Sequence, residues 1–296
     1  MICENLTGAI DHYIDRLGYR LDMIMPADAP RIALLSKNGE TIKLCASQAT
    51  NNELPATNTG DWITGRAGMQ YRDLLPERLG GEVAVSHIRL TDGGPVSDYV
   101  HYHKVDFQMI YCLKGSIRVV YEDQGPPFWL EPGDCVLQPS EIRHRVLEAE
   151  AGSEVIEISS PVEHETWVDH DLELSNGRIR QDRDFTGQRF VRHIAADAKW
   201  REFEGFEARD MGITVATDGR FDVRVVRSAT AEELPANNAN WEKLNLFVVL
   251  NGDLRLVIDN QPELVIPTGA CRVLEKGERT SFAFHNNAEV LFASIG

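Results

Sequence analysis

Three histidines and one glutamine stand out by type and spacing. The segment HYHKVDFQMIYCLKG carries His101, His103 and Gln108, and the segment PGDCVLQPSEIRHRV carries His144. In an extended strand, residues two apart point to the same face. His101 and His103 therefore share a face that Tyr102 does not. Gln108 lies an odd number of residues beyond His103, so a bend near Lys104–Val105 has to restore its inward orientation. Ile110 and Cys112 would then line the same interior. His144 follows the turn at Pro139, with Ile142 and Val146 on its face of the strand. A sheet closed into a barrel can bring both strands around one point. Three imidazoles suit iron, zinc, copper or nickel better than magnesium or calcium. Gln108 either gives its amide oxygen to the ion or hydrogen-bonds a substrate or water.

These segments resemble the two motifs of the cupin family. The first motif is HxH, four residues, a carboxylate, six residues and Gly; here it reads His101, His103, Gln108 and Gly115. The second is PG, then Pro, then His on the next strand, read as Pro132, Gly133, Pro139 and His144. Two positions depart: Gln108 stands where Glu is usual and Glu141 where Gly is usual. The matches cover roughly residues 62–160. The resemblance implies jelly-roll (double-stranded β-helix) barrels and one divalent metal held by His101, His103 and His144, with Gln108 at the fourth ligand position, which is also the catalytic one.

A donor set without carboxylates leaves the ion its full charge, which favours an anionic chelating substrate. In that respect the chain resembles the three-histidine cupin dioxygenases, among them diketone-cleaving and two-barrel gentisate-type enzymes. The resemblance implies an Fe(II) dioxygenase that uses dioxygen to cleave a C–C bond of a small diketone, enol or hydroxylated aromatic. Zn(II), Ni(II), Mn(II) and Cu(II) are the other metals such a site takes. An amide is no base near pH 7, so the substrate must itself be acidic or lose its proton on binding. The alternatives are a non-redox cupin metalloenzyme (isomerase, lyase or hydrolase) and a non-enzymatic small-ligand-binding cupin.

Short apolar runs separated by Gly, Pro, Asn and Asp recur from Trp62 onward, an all-β pattern. The pattern repeats internally. FQMIYCLKGSIRVV (107–120) aligns without a gap to LNLFVVLNGDLRLV (244–257), matching Gly115 to Gly252. EPGDCVLQP (131–139) aligns to PTGACRVLE (267–275), matching Gly133 to Gly269 and Cys135 to Cys271. The mainly β chain is thus expected to hold a metal-binding barrel at 62–160 and a degenerate one at 189–296. In the second copy Asn238, Asn240, Asn245 and Thr280 take the places of His101, His103, Gln108 and His144, a set that would not hold a transition metal.

The first 50 residues are expected to form a small α+β accessory segment. Leu6, Ile10, Tyr13, Ile14 and Leu17 have helical spacing, and Asn38-Gly39 between apolar runs signals a hairpin. The run HYIDRLGYRLDMIMPADAPRIALL is similar to part of a glyoxalase-type module. Its apolar faces lack partners of their own, which predicts a homodimer. Residues 46–61 read as a linker and 162–188 as an irregular acidic connector, with His164 and His170 on the surface. His87 is a candidate for the mouth of the first barrel. Tyr99, Phe107, Met109 and Trp129 read as core or interface.

The net charge of −16 argues against nucleic acid and anionic membranes. No run is apolar enough for a membrane helix, and the N-terminus has no secretory pattern, which predicts a cytoplasmic protein. The five cysteines form no CxxC pair, which speaks against a disulfide framework or a thiolate zinc site.

Overall fold

The computed structural model describes residues 1–27, 30–47, 62–65, 68–75, 78–203, 205–228, 239–240, 243–258 and 261–296. The linker expected at 46–61 falls almost wholly outside these, and so does Asn238. The described chain is mainly β. It divides into one unit of Met1–Pro132 with Leu137–Thr186 and a second of Gly133–Val136 with Gly187–Gly296. Among the described residues no helix is long and apolar enough to cross a membrane.

In the first unit one sheet runs, in spatial order, through Ile2–Cys3, Glu40–Ala46, Ile32–Lys37, Arg20–Met25, Thr166–Val168, His101–His103, His144–Ala149, Ile117–Tyr121 and Phe128–Leu130. A second sheet places Phe107–Lys114 beside Ser153–Ser160, then Ala84–Leu90, Met69–Asp73 and Ile63–Thr64. Between these sheets lies an interior lined by Ile88, Ile110, Val119, Leu130 and Val155, while Phe107, Met109 and Ile158 are fully buried on the opposite face of the second sheet.

The N-terminal segment is continuous with the first of these sheets. Asn5 caps the helix Leu6–Asp15 by accepting the Gly8 N–H at 2.9 Å, as a short polar side chain does at a helix start. Asn38 and Gly39, with φ of 50° and 84°, form the two-residue turn between Lys37 and Glu40. The segment buries Leu6, Ile10, Leu21, Ile24, Ala33, Leu35 and Leu44, and Tyr99 and Val168 pack against that cluster. Its strand Arg20–Met25 pairs with Thr166–Val168. The apolar face is therefore covered within the chain, which removes the reason for expecting a dimer. The connector expected to be irregular supplies the Thr166–Val168 strand; three residues are too few to show a period.

The second unit is an eight-stranded sheet built around two long paired strands, Leu244–Ile258 and Arg279–Ile295. Its core includes Phe247, Leu254, Leu256, Leu274, Val290 and Phe292. The repeat is visible at its turns. Gly115 and Gly252 have φ of 65° and 70°, and Gly133 and Gly269 have 91° and 80°. A Cβ on Gly115 would lie 2.5 Å from Ser153 Oγ, and one on Gly252 2.6 Å from the His285 carbonyl. Both turns thus require glycine on grounds of conformation and of space.

Glu141, where the cupin motif has glycine, also has a positive φ, 65°. Its side chain is exposed, and its N–H donates to the His103 carbonyl at 2.8 Å. The backbone conformation is thus retained without the residue that adopts it freely. Glu141→Gly should stabilise the fold by about 0.5–1 kcal/mol, the left-handed strain less the entropy that glycine adds to the unfolded chain. Thermal unfolding should show a rise of about 1–4 °C in Tm for a unit of this size; an unchanged or lower Tm would mean that Glu141 is not strained.

Candidate metal centre

The strand His101–His103 is three residues long and is fixed on both sides by register. On one side His101 stands directly opposite His144. On the other, His103 faces Thr166 and His101 faces Val168. Directly opposed residues bring their side chains within about 4.5–5.5 Å at Cβ. The result is a cluster in which one ring nitrogen from each of His101, His103 and His144 lies within 4.8 Å of the others. The ring centroids of His101 and His144 are 4.3 Å apart.

The orientation of each ring is set by its other nitrogen. Nδ1–H of His101 donates to the Tyr99 carbonyl at 2.8 Å and that of His144 to the Ile142 carbonyl at 2.9 Å. His103 Nδ1 lies 2.9 Å from Thr166 Oγ1. Anchoring Nδ1 leaves Nε2 as the donor atom, the arrangement typical of metal-ligating imidazoles. Burial is the main reason that His103 and His144 titrate well below an ordinary histidine; neighbouring imidazoles (His101, His144 and His164 around His103, His101 beside His144) add to it. The rings are thus held neutral, the form that binds a metal. The donor set therefore fits a divalent transition ion.

The cluster opens on a cavity of about 380 Å³. Gln108 is 2% exposed and lines it. The chain breaks at 104–106 between the His101–His103 and Phe107–Lys114 strands, where the sequence required a bend, and Gln108 and Ile110 both face the cavity. Cys112 does not reach its wall; its thiol meets the Gly115 carbonyl at 3.5 Å. Much of the rest is aliphatic, including Ile24, Ile88, Val119, Leu130 and Val155.

Several residues of the site were not legible as such. His164, read as surface, is 7% exposed and lines the cavity. Its ring lies 5.3 Å from that of His103, and its Nδ1–H donates to the Pro161 carbonyl at 2.8 Å. Gln138 places its Nε2 2.9 Å from His144 Nε2. Tyr99 lines the cavity edge-on to His101, with centroids 5.8 Å apart. His87, a candidate for the mouth, points away: Ser86 and Ile88 line the cavity, while His87 on the opposite face meets Glu154 at 2.7 Å and Arg72 at 2.9 Å. In the second unit, Asn245 and Thr280 are each 1% exposed.

Residues 87–158 match the family model described as the cupin domain. No curated protein matches the chain in sequence. Among solved structures, the chain is similar to the oxalate decarboxylase of Lactobacillus farciminis in its formate complex, at 13% identity over 81% of this chain and 84% of that one, with a TM-score of 0.57. It is likewise similar to the oxalate decarboxylase of Bacillus subtilis at pH 4.6, at 13% identity over 76% and 70%, TM-score 0.53. A further structure of that enzyme, whose subject is its Mn(II) centres, matches at 14% over 76% and 71%, TM-score 0.53. The chain carries a cupin domain, and its mainly β fold is that of tandem cupin-like barrels.

The buried neutral histidines give the metal-free protein a defined pH dependence. An unfolded histidine has a pKa near 6.5, and the folded values of His103 and His144 lie well below it. Below about pH 6.5 the unfolded chain binds more protons than the folded one, so stability falls as pH falls, by about 1.4 kcal/mol per pH unit for each histidine until its folded pKa is reached. Urea unfolding of metal-free protein between pH 7.5 and 5 should show this loss, and His144→Gln should reduce the slope. A slope unchanged by that substitution would mean that the ring titrates alike in both states.

Proposed function

We propose that the chain is a cupin metalloenzyme that binds one divalent transition metal through His101, His103 and His144, with Gln108 beside it, and breaks a carbon–carbon bond of a small anionic chelating substrate. The observation that carries this reading is the convergence of three buried or half-buried imidazoles, each fixed at Nδ1, on one cavity. The fold neighbours are enzymes that decarboxylate oxalate, and one of them holds Mn(II). These support a lyase acting on a chelated carboxylate, with Mn(II) as the first metal to test. The aliphatic wall argues for a substrate with an apolar body, larger than oxalate itself.

When bound, a divalent ion would supply Lewis-acid stabilisation of negative charge on the substrate oxygens. The chain's own residues do the rest. The three imidazoles are oriented through Nδ1, and the Gln138 amide, which meets His144 Nε2 at 2.9 Å, has to turn aside for that nitrogen to serve an ion. Gln108 has an amide and so positions a substrate or water oxygen rather than removing a proton. Glu157 and His164, both in the cavity wall, are side chains able to exchange a proton with the substrate, as are Asp98 and Tyr99 beside them in the lining. Ile24, Ile88 and Val155 exclude water from its apolar part.

A second reading is an Fe(II) dioxygenase cleaving a diketone, enol or hydroxylated aromatic, with dioxygen as co-substrate. The all-neutral imidazole set favours it, because it leaves the ion uncompensated until an anionic chelate binds. Product analysis with a panel of 2-oxo and β-keto acids, 1,3-diketones and hydroxybenzoates, in air and under anaerobic conditions, separates the two. Carbon dioxide release that persists without oxygen supports the lyase. Stoichiometric oxygen uptake with two oxygen atoms in the products supports the dioxygenase. No turnover with Mn(II) or Fe(II) on any of these would count against both.

Metal binding has its own test. Elemental analysis of tag-free protein should find about one equivalent per chain, and His101→Ala should abolish it. Thr166→Val removes the partner of His103 Nδ1 without touching a ligand atom, and should weaken metal affinity about 10–100-fold. Two equivalents in the parent protein, or retention of metal in His101→Ala, would refute the assignment.

A further inference from the structure

The second unit holds a cavity of about 270 Å³, partly open to solvent, walled by Phe203, Phe206, Phe247, Phe282, Phe284 and Phe292. Phe247 and Phe292 stand directly opposite each other on paired strands, with ring centroids 5.3 Å apart. Phe206 and Phe282 are nearly parallel, 5.1 Å apart with an interplanar angle of 20°, whereas Phe284 meets Phe282 at 78°. A space of this size among rings is the property of a ligand pocket.

One end of this cavity is polar, and it is built by register. Asp222 faces Ser294 and Ser294 faces Asn245 across three adjacent strands, and all three line the cavity. Asn245 is 1% exposed and donates through Nδ2 to the Lys243 carbonyl at 2.7 Å. A buried amide is costly unless its polar atoms are bonded. The aligned position in the first unit is Gln108, whose cross-strand neighbour is also a serine, Ser159. Gln108 and Ser159 line the cavity at the three histidines. The same barrel position thus offers an amide and a serine hydroxyl to a cavity in both units.

We propose that the second unit binds a planar aromatic compound of one or two rings bearing a hydroxyl or carbonyl group, at a site that uses no metal. Nearly parallel and edge-on phenyl rings in one wall match the offset and edge-to-face contacts that aromatic rings prefer. The Asn245–Ser294 row supplies both a donor and an acceptor for the single polar substituent. The charges at this end are already engaged, Asp222 by Arg224 at 2.8 Å and Lys243, also in the wall, by the Gly219 carbonyl at 2.9 Å, so a neutral polar substituent suits it best.

Isothermal titration of the full-length protein with 2-naphthol tests this, with decahydro-2-naphthol as the analogue that keeps the hydroxyl and loses the rings' π faces. One 2-naphthol should bind per chain, about fivefold to tenfold tighter than the saturated analogue. Asn245→Leu should weaken 2-naphthol by about tenfold, while His101→Ala should leave it unchanged. Phe282→Leu, which changes only the ring wall, should reduce the preference for the aromatic compound and serves if Asn245→Leu does not unfold cooperatively. The proposal is overturned by the absence of binding, by equal affinity for the two alcohols, or by a loss in His101→Ala with no change in Asn245→Leu, which would place the ligand in the first cavity.

Discussion

The geometry of the first unit depends on the register of one three-residue strand. His101–His103 has His144 opposite on one side and Thr166 on the other. Because side chains alternate, a slip of one residue would turn Tyr102 inward and both imidazoles outward. Tyr102 is held on the outer face, where the Arg143 guanidinium lies 4.1 Å from its ring centroid. The Glu141 N–H, donating to the His103 carbonyl, fixes the same strand from the turn before His144. Such a short strand has few backbone bonds of its own, so its neighbours must define it. That is the physical role of Thr166–Val168 and, behind it, of Arg20–Met25. Ile24 pairs with Thr166, and Thr166 Oγ1 meets the Nδ1 of His103. The N-terminal segment is thereby two strands away from the His103 ring, and Ile24 and Ala27 form part of the cavity wall.

This dependence explains which features could be read from sequence. The HxH pair, Gln108, the turn glycines and His144 are legible because the two-residue period and a few obligatory turns constrain them locally. The bend between His103 and Gln108 follows from parity alone. His164 and Thr166 were not legible: their positions come from a pairing some 60 residues distant, across a segment whose acidic composition resembles a solvated loop. His87 was misplaced because its strand is buried on both faces, from Ala84 to Ile88, which removes the polar–apolar alternation that assigns a residue to one side. The covering of the N-terminal segment has the same origin. Its sequence shows an apolar face but not that the partner is another strand of the same chain.

The two units also place one barrel position in two different surroundings. Gln108 and Asn245 are both almost fully buried and both have a serine across the ladder. Around Gln108 stand three imidazoles, and around Asn245 six phenyl rings. An imidazole cluster keeps its shape through hydrogen bonds at Nδ1, whereas a phenyl wall keeps its shape by packing. The first is therefore sensitive to single hydrogen-bond partners such as Thr166, and the second to side-chain volume. The glycines at the matching turns, confined by close backbone approach in each unit, show that the scaffold imposes the same limits on both.

Charge sets the final constraint on the proposed function. The protein carries a net −16, yet the His103 and His144 rings at the first cavity are buried and held neutral. In a low-dielectric wall, an ion with only neutral ligands is incompletely compensated, and compensation has to arrive with the substrate. An anionic chelating head meets that need, and an apolar body meets the aliphatic wall. The overall negative charge slows the approach of such an anion rather than drawing it in. Selectivity must then come from the cavity itself: the imidazole cluster for the head, and the wall that includes Ile24 from the N-terminal strand for the body.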